Sequence, residues 1–275
     1  MSIDTGSAPA FATRERPAGR WTRDVQHELT RANLLGLAAG DLPAIHLRRF
    51  IDQPAAAAIG RVYDGLVHGY YRDVVPRITK CGPTAFEHEF GARGAYFAEA
   101  RATDEVFSAA MAGAGVVSPL QVFDRELRER CGWSISRASD RAFGEYFAGT
   151  LRSMDAGTPV HIDFAPYEEP GWEMISSVDA QLAANVYLDA TGEEGSLVIY
   201  DRLWAPEDER FRFGDRFGYD DAAVEGAPSV VITPATGDLV LFNSRFFHRV
   251  QAPGHRRLTY SFFFAFHDDH LIAWS

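Results

Sequence analysis

Two ionisable side chains lie one residue apart inside an otherwise apolar segment. His161 and Asp163 belong to the stretch GTPVHIDFAPYEEPGW, in which valine, isoleucine and phenylalanine surround them. On an extended strand, residues two apart point to the same face, so the imidazole and the carboxylate converge while the apolar neighbours point the other way. A buried carboxylate without a partner is costly, and both groups ligate borderline divalent cations. The pair therefore predicts two ligands of one metal site.

A third metal ligand and an anion-binding pair follow on later strands. His248 lies in FNSRFFHRV, after a GD turn and a hydrophobic strand, so it can face the same interior. Nine residues later, Arg257 begins a strand on which Arg257, Thr259 and Ser261 share one face. An arginine and a hydroxyl inside an aromatic-rich interior favour an anion, and a planar guanidinium is the natural bidentate partner of a carboxylate. The spacing therefore predicts a carboxylate-binding site that faces the same interior as the metal.

The order of these residues resembles the signature of the Fe(II)- and 2-oxoglutarate-dependent oxygenases, which is His-x-Asp, a distal histidine, and Arg-x-Ser/Thr shortly beyond it. The resemblance covers the strand-rich half of the chain. It implies that His161, Asp163 and His248 are the catalytic ligands of Fe(II), with 2-oxoglutarate and O₂ as co-substrates. It also implies that Arg257 and Thr259 hold the distal carboxylate of 2-oxoglutarate. The implied fold is a double-stranded β-helix (jelly-roll, cupin-like) core with supporting N-terminal helices.

A narrower resemblance concerns the segments around the motif, namely GTPVHIDFAP, QLAANVYLD, LVIYDRLW and GDLVLFNSRFFHRV. They look like the branch of the superfamily that acts on free amino acids and related small polar metabolites, in which hydroxylases and chlorinating enzymes occur together. The chlorinating members carry a small residue in place of the triad carboxylate, so that halide can bind iron, whereas Asp163 is intact here. The resemblance therefore implies hydroxylation of an unactivated C–H bond of an amino acid or derivative, with release of succinate and CO₂.

Other functions stay open on the sequence alone. A halogenase, or a desaturating or cyclising member of the same superfamily, is the nearest alternative. A cupin-type metalloenzyme that does not use 2-oxoglutarate would need the metal ligands but not Arg257 and Thr259. A β-barrel that binds a small molecule or a partner protein would use the histidines only structurally, and would take up no stoichiometric Fe(II).

A second His-x-Asp pattern, in the segment HDDH at 267–270, serves as an internal control. Only Leu271 to Ser275 follow it, which leaves no room for a distal histidine and an arginine in the order of the signature. We interpret this segment as a solvated turn. The spacing of two side chains is thus weak evidence for a metal site, and the combination with a later histidine and arginine is much more specific.

Two residues near the anion site have two interpretations each. Asn185 shares a strand face with Tyr187, so it could contact 2-oxoglutarate or only pack inside the barrel. Arg256 competes with Arg257 for the anion, because tandem arginines differ only in the face that they occupy. The spacing from the distal histidine and the hydroxyl two residues later favours Arg257.

The substrate side of the site is less readable. The segment FEHEF at 86–90 contains Glu87, His88 and Glu89, which could reach a substrate amine or form a solvated face. Phe164 and Trp172 follow the His-x-Asp motif closely, so they could form a wall of the substrate pocket or pack in the core. These sets therefore stay candidates with a structural alternative.

The composition limits the class of partner. The chain has 275 residues, a formal net charge of −11 and a sequence pI near 5.3, whereas a duplex-binding protein needs a basic stripe to displace counterions. We therefore expect a small-molecule substrate and no nucleic acid, and also no membrane, because charged residues interrupt every apolar stretch. Two distant cysteines, Cys81 and Cys131, indicate no disulfide framework and fit a reducing cytoplasm. The oligomeric state stays open.

The elements that must position these side chains change in character along the chain. Residues 1–20 are small and polar, which predicts a flexible tail without the apolar region of a secretory signal. The part from about 21 to 156 is mainly helical in its pattern, and the part from about 157 to 275 predicts short strands separated by turns. Helices followed by a sandwich or small barrel make an α+β fold, which we expect to form a single oxygenase domain over 21–275.

The helical pattern is clearest where Ser118 can cap, Pro119 can begin and Gly132 can end one amphipathic helix. Weaker patterns predict helices over 23–37, 54–71, 95–112 and 142–154. The strands predicted by alternation and turn chemistry span 45–50, 159–164, 181–188, 196–203, 229–233, 238–243, 246–251 and 257–266.

Overall fold

A computed structural model of the chain describes residues 21–72, 74–88, 90–190 and 194–275. The predicted flexible tail over 1–20 lies outside the described residues. Long helices and short strands alternate up to about residue 156, and a strand-rich part follows. The α+β class predicted from the sequence is therefore confirmed.

The clearest helix prediction is confirmed in detail. Ser118 Oγ accepts a hydrogen bond from Gln121 N, and Ser118 N donates to Gln121 Oε1, each at 3.3 Å. Gly132 closes the helix in the left-handed region, with φ of +69°. The buried face of this helix packs on the sheet, where the rings of Phe123 and Phe264 are 5.4 Å apart. The helices are α1 (Arg31–Ala38), α2 (Gln53–Asp64), α3 (Arg93–Gly113), α4 (Pro119–Cys131), α5 (Ala165–Glu168) and α6 (Glu173–Ser176).

The strands form two larger sheets and a short pair. They are β1 (Ile45–Leu47), β2 (Gly69–Tyr70), β3 (Thr79–Cys81), β4 (Ile135–Arg137), β5 (Ser139–Asp140), β6 (Gly144–Glu145), β7 (Thr150–Met154), β8 (Leu182–Asp189), β9 (Leu197–Leu203), β10 (Ser229–Ile232), β11 (Leu239–Asn243), β12 (Phe246–Val250), β13 (Arg257–His267) and β14 (His270–Trp274). Among the described residues, nine strands make one sheet, in the order β1-β11-β8-β13-β7-β3-β2; β14 also pairs with β13, and β4 pairs with β14. The second sheet has the order β10-β9-β12.

The strand β13 shows how alternation separates the core from the interior of the barrel. Leu258, Tyr260 and Phe264 belong to the large hydrophobic cluster that includes the helices. Arg257 and Ser261, on the opposite face, line a cavity between the two sheets. The face assignment predicted from the sequence is thus confirmed for these residues, and it follows from the two-residue period of a strand.

The helix predicted over 142–154 is wrong. Gly144 and Gly149 have φ of +102° and +113°, which a helix cannot accommodate, and β6 and β7 replace it. The strand β7 pairs with β13 on one side and with β3 on the other. Hydrogen bonding to two distant strands therefore overrides a weak local helical pattern.

The strand predicted over 159–164 is reduced to isolated bridges at Val160 and His161, and a short helix begins at Ala165. At the other end of the chain, the strand β14 was not predicted from the sequence. Four of its five residues are buried. No helix in the described part of the chain combines the length and the apolar character that crossing a bilayer requires.

Candidate active site

Backbone pairing places His161 and His248 directly opposite each other. The N–H of each residue donates to the carbonyl of the other at 2.9 Å, as in an antiparallel bridge. Asp163 N donates to Ser244 O at 3.0 Å, and Ser244 Oγ donates to Asp163 O at 2.8 Å. The three side chains therefore converge because main-chain hydrogen bonds fix their positions, without requiring attraction between the side chains.

The three side chains direct one potential ligand atom each toward a common point. Asp163 Oδ2 lies 3.4 Å from His248 Nε2 and 4.0 Å from His161 Nε2, and all three candidate atoms lie within 4.8 Å of one another. The two imidazole centroids are 4.1 Å apart. Two imidazoles and one carboxylate are the donor set of a mononuclear non-haem Fe(II) site that keeps coordination positions open.

Backbone carbonyls select the tautomer of both histidines. His161 Nδ1 lies 2.9 Å from Pro159 O, and His248 Nδ1 lies 2.8 Å from Phe246 O. Because a carbonyl oxygen can only accept, each Nδ1 carries a proton, and in the neutral form of each ring Nε2 is the nitrogen with the free lone pair. The same hydrogen bonds fix the orientation of the rings, as is usual for histidines that bind metals.

The ionisation states also suit a metal. Burial, together with the nearby His248, lowers the pKa of His161 to about 3, although the charge of Asp163 opposes this shift. Burial acts to raise the pKa of Asp163, but the contact with His248, together with smaller effects of neighbouring groups, outweighs burial and lowers this pKa to about 2. At neutral pH, His161 is therefore neutral and Asp163 is ionised, which are the states in which these groups bind metals. The donor set thus fits an Fe(II) ion.

The triad faces a cavity of about 280 Å³ between the two sheets. This volume is at the lower end of the range for small-molecule sites. Apolar groups such as Leu197, Phe217 and Phe242 form part of the wall. Apart from the triad, the charged side chains on the wall are Arg152, Glu168, Glu169, Arg212 and Arg257.

Arg257 is a buried cation on this wall. Its Nε donates to Gly195 O at 3.1 Å, one Nη donates to Tyr187 OH at 3.0 Å, and the other lies 3.4 Å from Met154 Sδ. The side chain is 4% exposed, and burial, together with the like charge of Arg152, lowers its pKa. Within the described part of the chain, no carboxylate forms an ion pair with it. A carboxylate ligand would therefore relieve an uncompensated charge.

A second arginine lies beside this position on β7. Arg152 Nη2 donates to Asn185 Oδ1 at 2.7 Å, and Arg152 Nε donates to Ser261 Oγ at 3.1 Å. Ser261 Oγ in turn donates to Thr259 Oγ1 at 3.0 Å. Asn185, Arg152 and Ser261 line the cavity, whereas Thr259 is fully buried and does not reach the cavity wall. Thr259 thus supports the polar lining from behind, and a direct contact with 2-oxoglutarate stays a prediction.

Two adjacent carboxyl groups form another part of the wall. Glu168 Oε2 accepts from Phe164 N at 3.0 Å, and Glu168 Oε1 lies 3.5 Å from Arg212 Nη2. Burial and the charge of Asp163 raise the pKa of Glu168 to about 7, against the effects of the Phe164 N–H and Arg212. Burial, Glu168 and Asp163 raise the pKa of Glu169 to about 8. The cavity therefore has a cationic region near Arg257 and an acidic region near Glu169.

A family model described as "Carrier-protein-independent halogenase WelO5" matches residues 88–275, which is more than half of the chain. The chain belongs to the WelO5 family. The resemblance to the oxygenase branch that contains hydroxylases and halogenases, predicted from the sequence, is thereby confirmed. In this member of the WelO5 family, Asp163 provides a carboxylate beside the two histidines.

Two curated relatives match parts of the chain. The L-gamma-glutamyl-L-propargylglycine hydroxylase of Streptantibioticus cattleyicolor is 36% identical over 132 residues, which cover 47% of this chain and 48% of that protein. The leucinostatins biosynthesis cluster protein S of Purpureocillium lilacinum is 36% identical over 110 residues, which cover 39% and 44%. The chain thus spans about half the length of the curated relatives that it matches.

One solved structure supports the fold over nearly the whole chain. An N-substituted L-amino acid dioxygenase from Burkholderia ambifaria AMMD has a TM-score of 0.63 and 16% identity, and the match covers 89% of this chain and 91% of that chain. Its complex with alpha-KG has a TM-score of 0.60. At this identity the likeness shows a shared fold, and it confirms the predicted jelly-roll core.

Several sequence candidates lie outside the cavity. Glu87 forms an ion pair with Lys80, and His88 Nε2 lies 3.6 Å from the Glu99 carboxylate. Neither Glu87 nor His88 lines the cavity wall. Glu89 lies outside the described residues. Arg256 is at the surface, 2.7 Å from Asp64.

The residues after the motif divide between the cavity and the core. Phe164 lines the cavity, whereas Trp172 packs among the rings of Tyr96 and Tyr146.

Sequence reasoning missed Arg152, Glu168, Glu169 and Arg212. For the two glutamates a signal existed, because EE follows the His-x-Asp motif closely in a segment with buried aromatic residues. For Arg152 the wrong helix prediction over 142–154 concealed the period-two pattern of β7. Arg212 lies in the long connection between β9 and β10, where periodicity carries no information.

Proposed function

We propose that the protein is an Fe(II)/2-oxoglutarate-dependent dioxygenase that hydroxylates an unactivated C–H bond of an amino acid or amino acid derivative, with release of succinate and CO₂. The main support is that the cluster of His161, Asp163 and His248 and the buried Arg257 line the same cavity. In the described part of the chain, Arg257 has no anionic partner. The names of the hydroxylase from Streptantibioticus cattleyicolor and the dioxygenase from Burkholderia ambifaria support an amino acid substrate.

In this proposal His161, Asp163 and His248 hold Fe(II), and Arg257 binds the distal carboxylate of 2-oxoglutarate, with Asn185 as a further contact. When bound, iron and 2-oxoglutarate would supply the activation of O₂ for oxidation of a C–H bond. The chain's own contribution is positional. Carbonyl groups hold both imidazole rings, the arginine anchors one end of the co-substrate, and the barrel excludes water from the reacting atoms.

The ionised Asp163 favours hydroxylation over halogenation, although the family description names a halogenase. A carboxylate in this position supplies the third protein ligand. A halide ion would therefore find no coordination position that a missing protein ligand leaves free. The test is to run the reaction with chloride present. We expect products that gain oxygen and no chlorine, and a chlorinated product from the unmodified protein would overturn this choice.

The direct test is a reaction of the purified protein with Fe(II), 2-oxoglutarate, O₂ and a panel of amino acids and N-substituted derivatives. We expect succinate formation that depends on one or a few panel members, together with a product heavier by one oxygen atom. Desaturation or cyclisation would give a product lighter by two hydrogen atoms. Absence of succinate for every member, with iron bound, would contradict the proposal.

The variant Arg257→Ala separates this function from a cupin-type enzyme that does not use 2-oxoglutarate. Such an enzyme would keep most of its activity without the arginine. For the proposed dioxygenase, we expect Arg257→Ala to lose most of its affinity for 2-oxoglutarate. A barrel that uses the histidines only structurally would bind no stoichiometric Fe(II), and His161→Ala would not change its metal content.

The remaining expectations belong to the same proposal. One oxygenase domain over 21–275 is supported by the match of a solved structure to 89% of the chain. A cytoplasmic location is supported by the two cysteines, Cys81 and Cys131, which are buried and unpaired. A small molecule is the expected partner, since the charged groups in the cavity face a volume of about 280 Å³.

A further inference from the structure

Among the described residues, the carboxyl group of Glu169 on the cavity wall has no partner. Its Oε2 is buried and accepts no hydrogen bond, and no cation of the described residues forms an ion pair with the side chain. Buried polar groups are almost always satisfied, so an orphan acid in a ligand cavity requires an explanation. Burial and the nearby charges of Glu168 and Asp163 disfavour its ionised form.

The neighbouring Glu168 shows what a satisfied carboxyl group looks like in this wall. It accepts from Phe164 N and lies 3.5 Å from Arg212. Arg212 is also engaged with Glu209 at 3.6 Å. The available cation therefore faces Glu168 and Glu209, and Glu169 is left without one among the described residues.

The backbone holds Glu169 in place between α5 and α6. Glu169 N donates to Ala165 O at 2.8 Å, and Trp172 N donates to Glu169 O at 3.0 Å. Trp172 is in turn buried against the ring of Tyr96, at 5.1 Å. The backbone of Glu169 is therefore held beside the cavity, where burial of the unsatisfied Oε2 is costly.

We propose that the carboxylate of Glu169 binds a positively charged nitrogen of the substrate, which selects amino acids with an ionised amine over neutral N-acyl analogues. This inference rests on the proposed function and narrows its substrate class. A substrate ammonium would supply the charge and the N–H donors that the wall lacks. Arg152, which also has no carboxylate partner among the described residues, remains for the carboxylate of the same substrate.

The test compares binding by Glu169→Gln with binding by the wild type and by Glu173→Gln, an exposed glutamate on α6. The proteins are loaded with Zn(II) and 2-oxoglutarate so that no turnover occurs. The probes are the common L-amino acids and their N-acetyl counterparts, and the readouts are thermal stabilisation and titration calorimetry.

We expect the wild type and Glu173→Gln to bind at least one free amino acid about tenfold or more tightly than its N-acetyl form. Glu169→Gln should lose that preference, with about tenfold weaker binding of the free form. An unchanged preference in Glu169→Gln, or a wild type that does not prefer any ammonium compound, would overturn the inference.

Folding of the variant is checked in the absence of ligand. Because glutamine removes an unpaired buried acid, we expect Glu169→Gln to melt at or above the temperature of the wild type. Stabilisation by 2-oxoglutarate, bound near Arg257, should also persist. If Glu169→Gln unfolds, Glu169→Asp is the second variant: it keeps the charge and should retain part of the ammonium preference. Complete retention of the ammonium preference by Glu169→Leu would contradict the inference.

The failure of the proposed function is a separate result. If the wild type forms no succinate from 2-oxoglutarate, the dioxygenase proposal fails, yet the ammonium preference remains measurable by binding. If succinate forms and Glu169→Gln keeps the wild-type preference, only the assignment of Glu169 fails.

Discussion

His161-Ile162-Asp163 and His267-Asp268-Asp269 have the same spacing of histidine and aspartate but occupy opposite environments. In the first copy, His161 is 7% exposed, and the bridge to His248 adds a second imidazole. In the second copy, the two aspartates form the turn between β13 and β14, and the Asp269 side chain is 99% exposed. Among the described residues, only the first copy belongs to a group of three possible ligands.

The difference shows what a short motif lacks. Spacing determines which side chains share a face, but a site also needs a third ligand from another strand and enough burial to limit competition from water. The histidine that follows the second copy, His270, pairs with Asp269 at 3.4 Å in the same exposed turn, so it adds no independent element. Variants of the two copies therefore test the comparison directly.

The largest expected effect is the loss of metal in His248→Ala. This variant removes the imidazole across the bridge, so we expect no stoichiometric Fe(II) and activity lower by about 10²-fold or more, because even outer partners of a metal ligand contribute 10- to 100-fold. His270→Ala should stay within about twofold of the wild type, since surface changes away from a site have small effects. The measurement is iron content after dialysis, with succinate formation; full iron retention by His248→Ala would refute the triad.

The second-largest effect concerns the anion site, because an arginine follows the first His-x-Asp copy in the sequence and none follows the second. In Arg257→Gln we expect the KM for 2-oxoglutarate to rise between about 10- and 100-fold, because charge-assisted hydrogen bonds to a desolvated carboxylate are lost. The iron content should not change. Arg256→Gln, at the surface beside Asp64, is the matched control and should behave as the wild type. Equal KM values for the two variants would show that the anion binds elsewhere.

A smaller effect is the pH dependence of stability in the metal-free protein. Burial raises the pKa of Glu169 from its ordinary value of 4.5 to about 8 in the folded state, so this group lowers the free energy of unfolding as pH rises between these values. Glu169→Gln should therefore lose less unfolding free energy than the wild type between about pH 5 and about pH 8. Asp269→Asn, at the exposed turn, should follow the wild type. Denaturant unfolding at both pH values measures the difference, and parallel curves for all three proteins would contradict it.

The smallest effect is expected for His267→Ala and Asp269→Ala. Asp269 is exposed in the turn and His267 is partly exposed beside it, so we expect changes in unfolding free energy within about 0.5 kcal/mol and wild-type activity. Denaturant unfolding and succinate assays provide the measurement. A loss of iron in either variant would show that the second copy contributes to a metal site after all.

Much of the arrangement around the candidate metal site was readable from the sequence. The alternation on β13 predicted which of Arg257 and Leu258 faces the interior, because the period of two is a local property of any strand. The helix between Ser118 and Gly132 was readable for the same reason, since its caps are encoded within one segment.

The unpredicted parts depend on distant pairing. The segment that contains Arg152 has a weak helical pattern, yet it becomes β7 because β3 and β13 supply hydrogen bonds on both sides. Glu169 follows the short helix α5, and its carbonyl accepts from the N–H of Trp172, which packs against the distant Tyr96. The pair of glutamates after the motif was a local signal, but only the tertiary contacts showed that Arg152 and Glu169 line the same cavity.

By itself, the sequence determined the donor types, their order along the chain and the α+β class, because strand alternation and helix caps are local. The sequence also favoured the first His-x-Asp copy, but only the tertiary structure brings it to its third ligand, since His161 and His248 are 87 positions apart and meet through one antiparallel bridge. It also decided which acid of the pair Glu168 and Glu169 has a partner, because Arg212 reaches that wall from a distant loop.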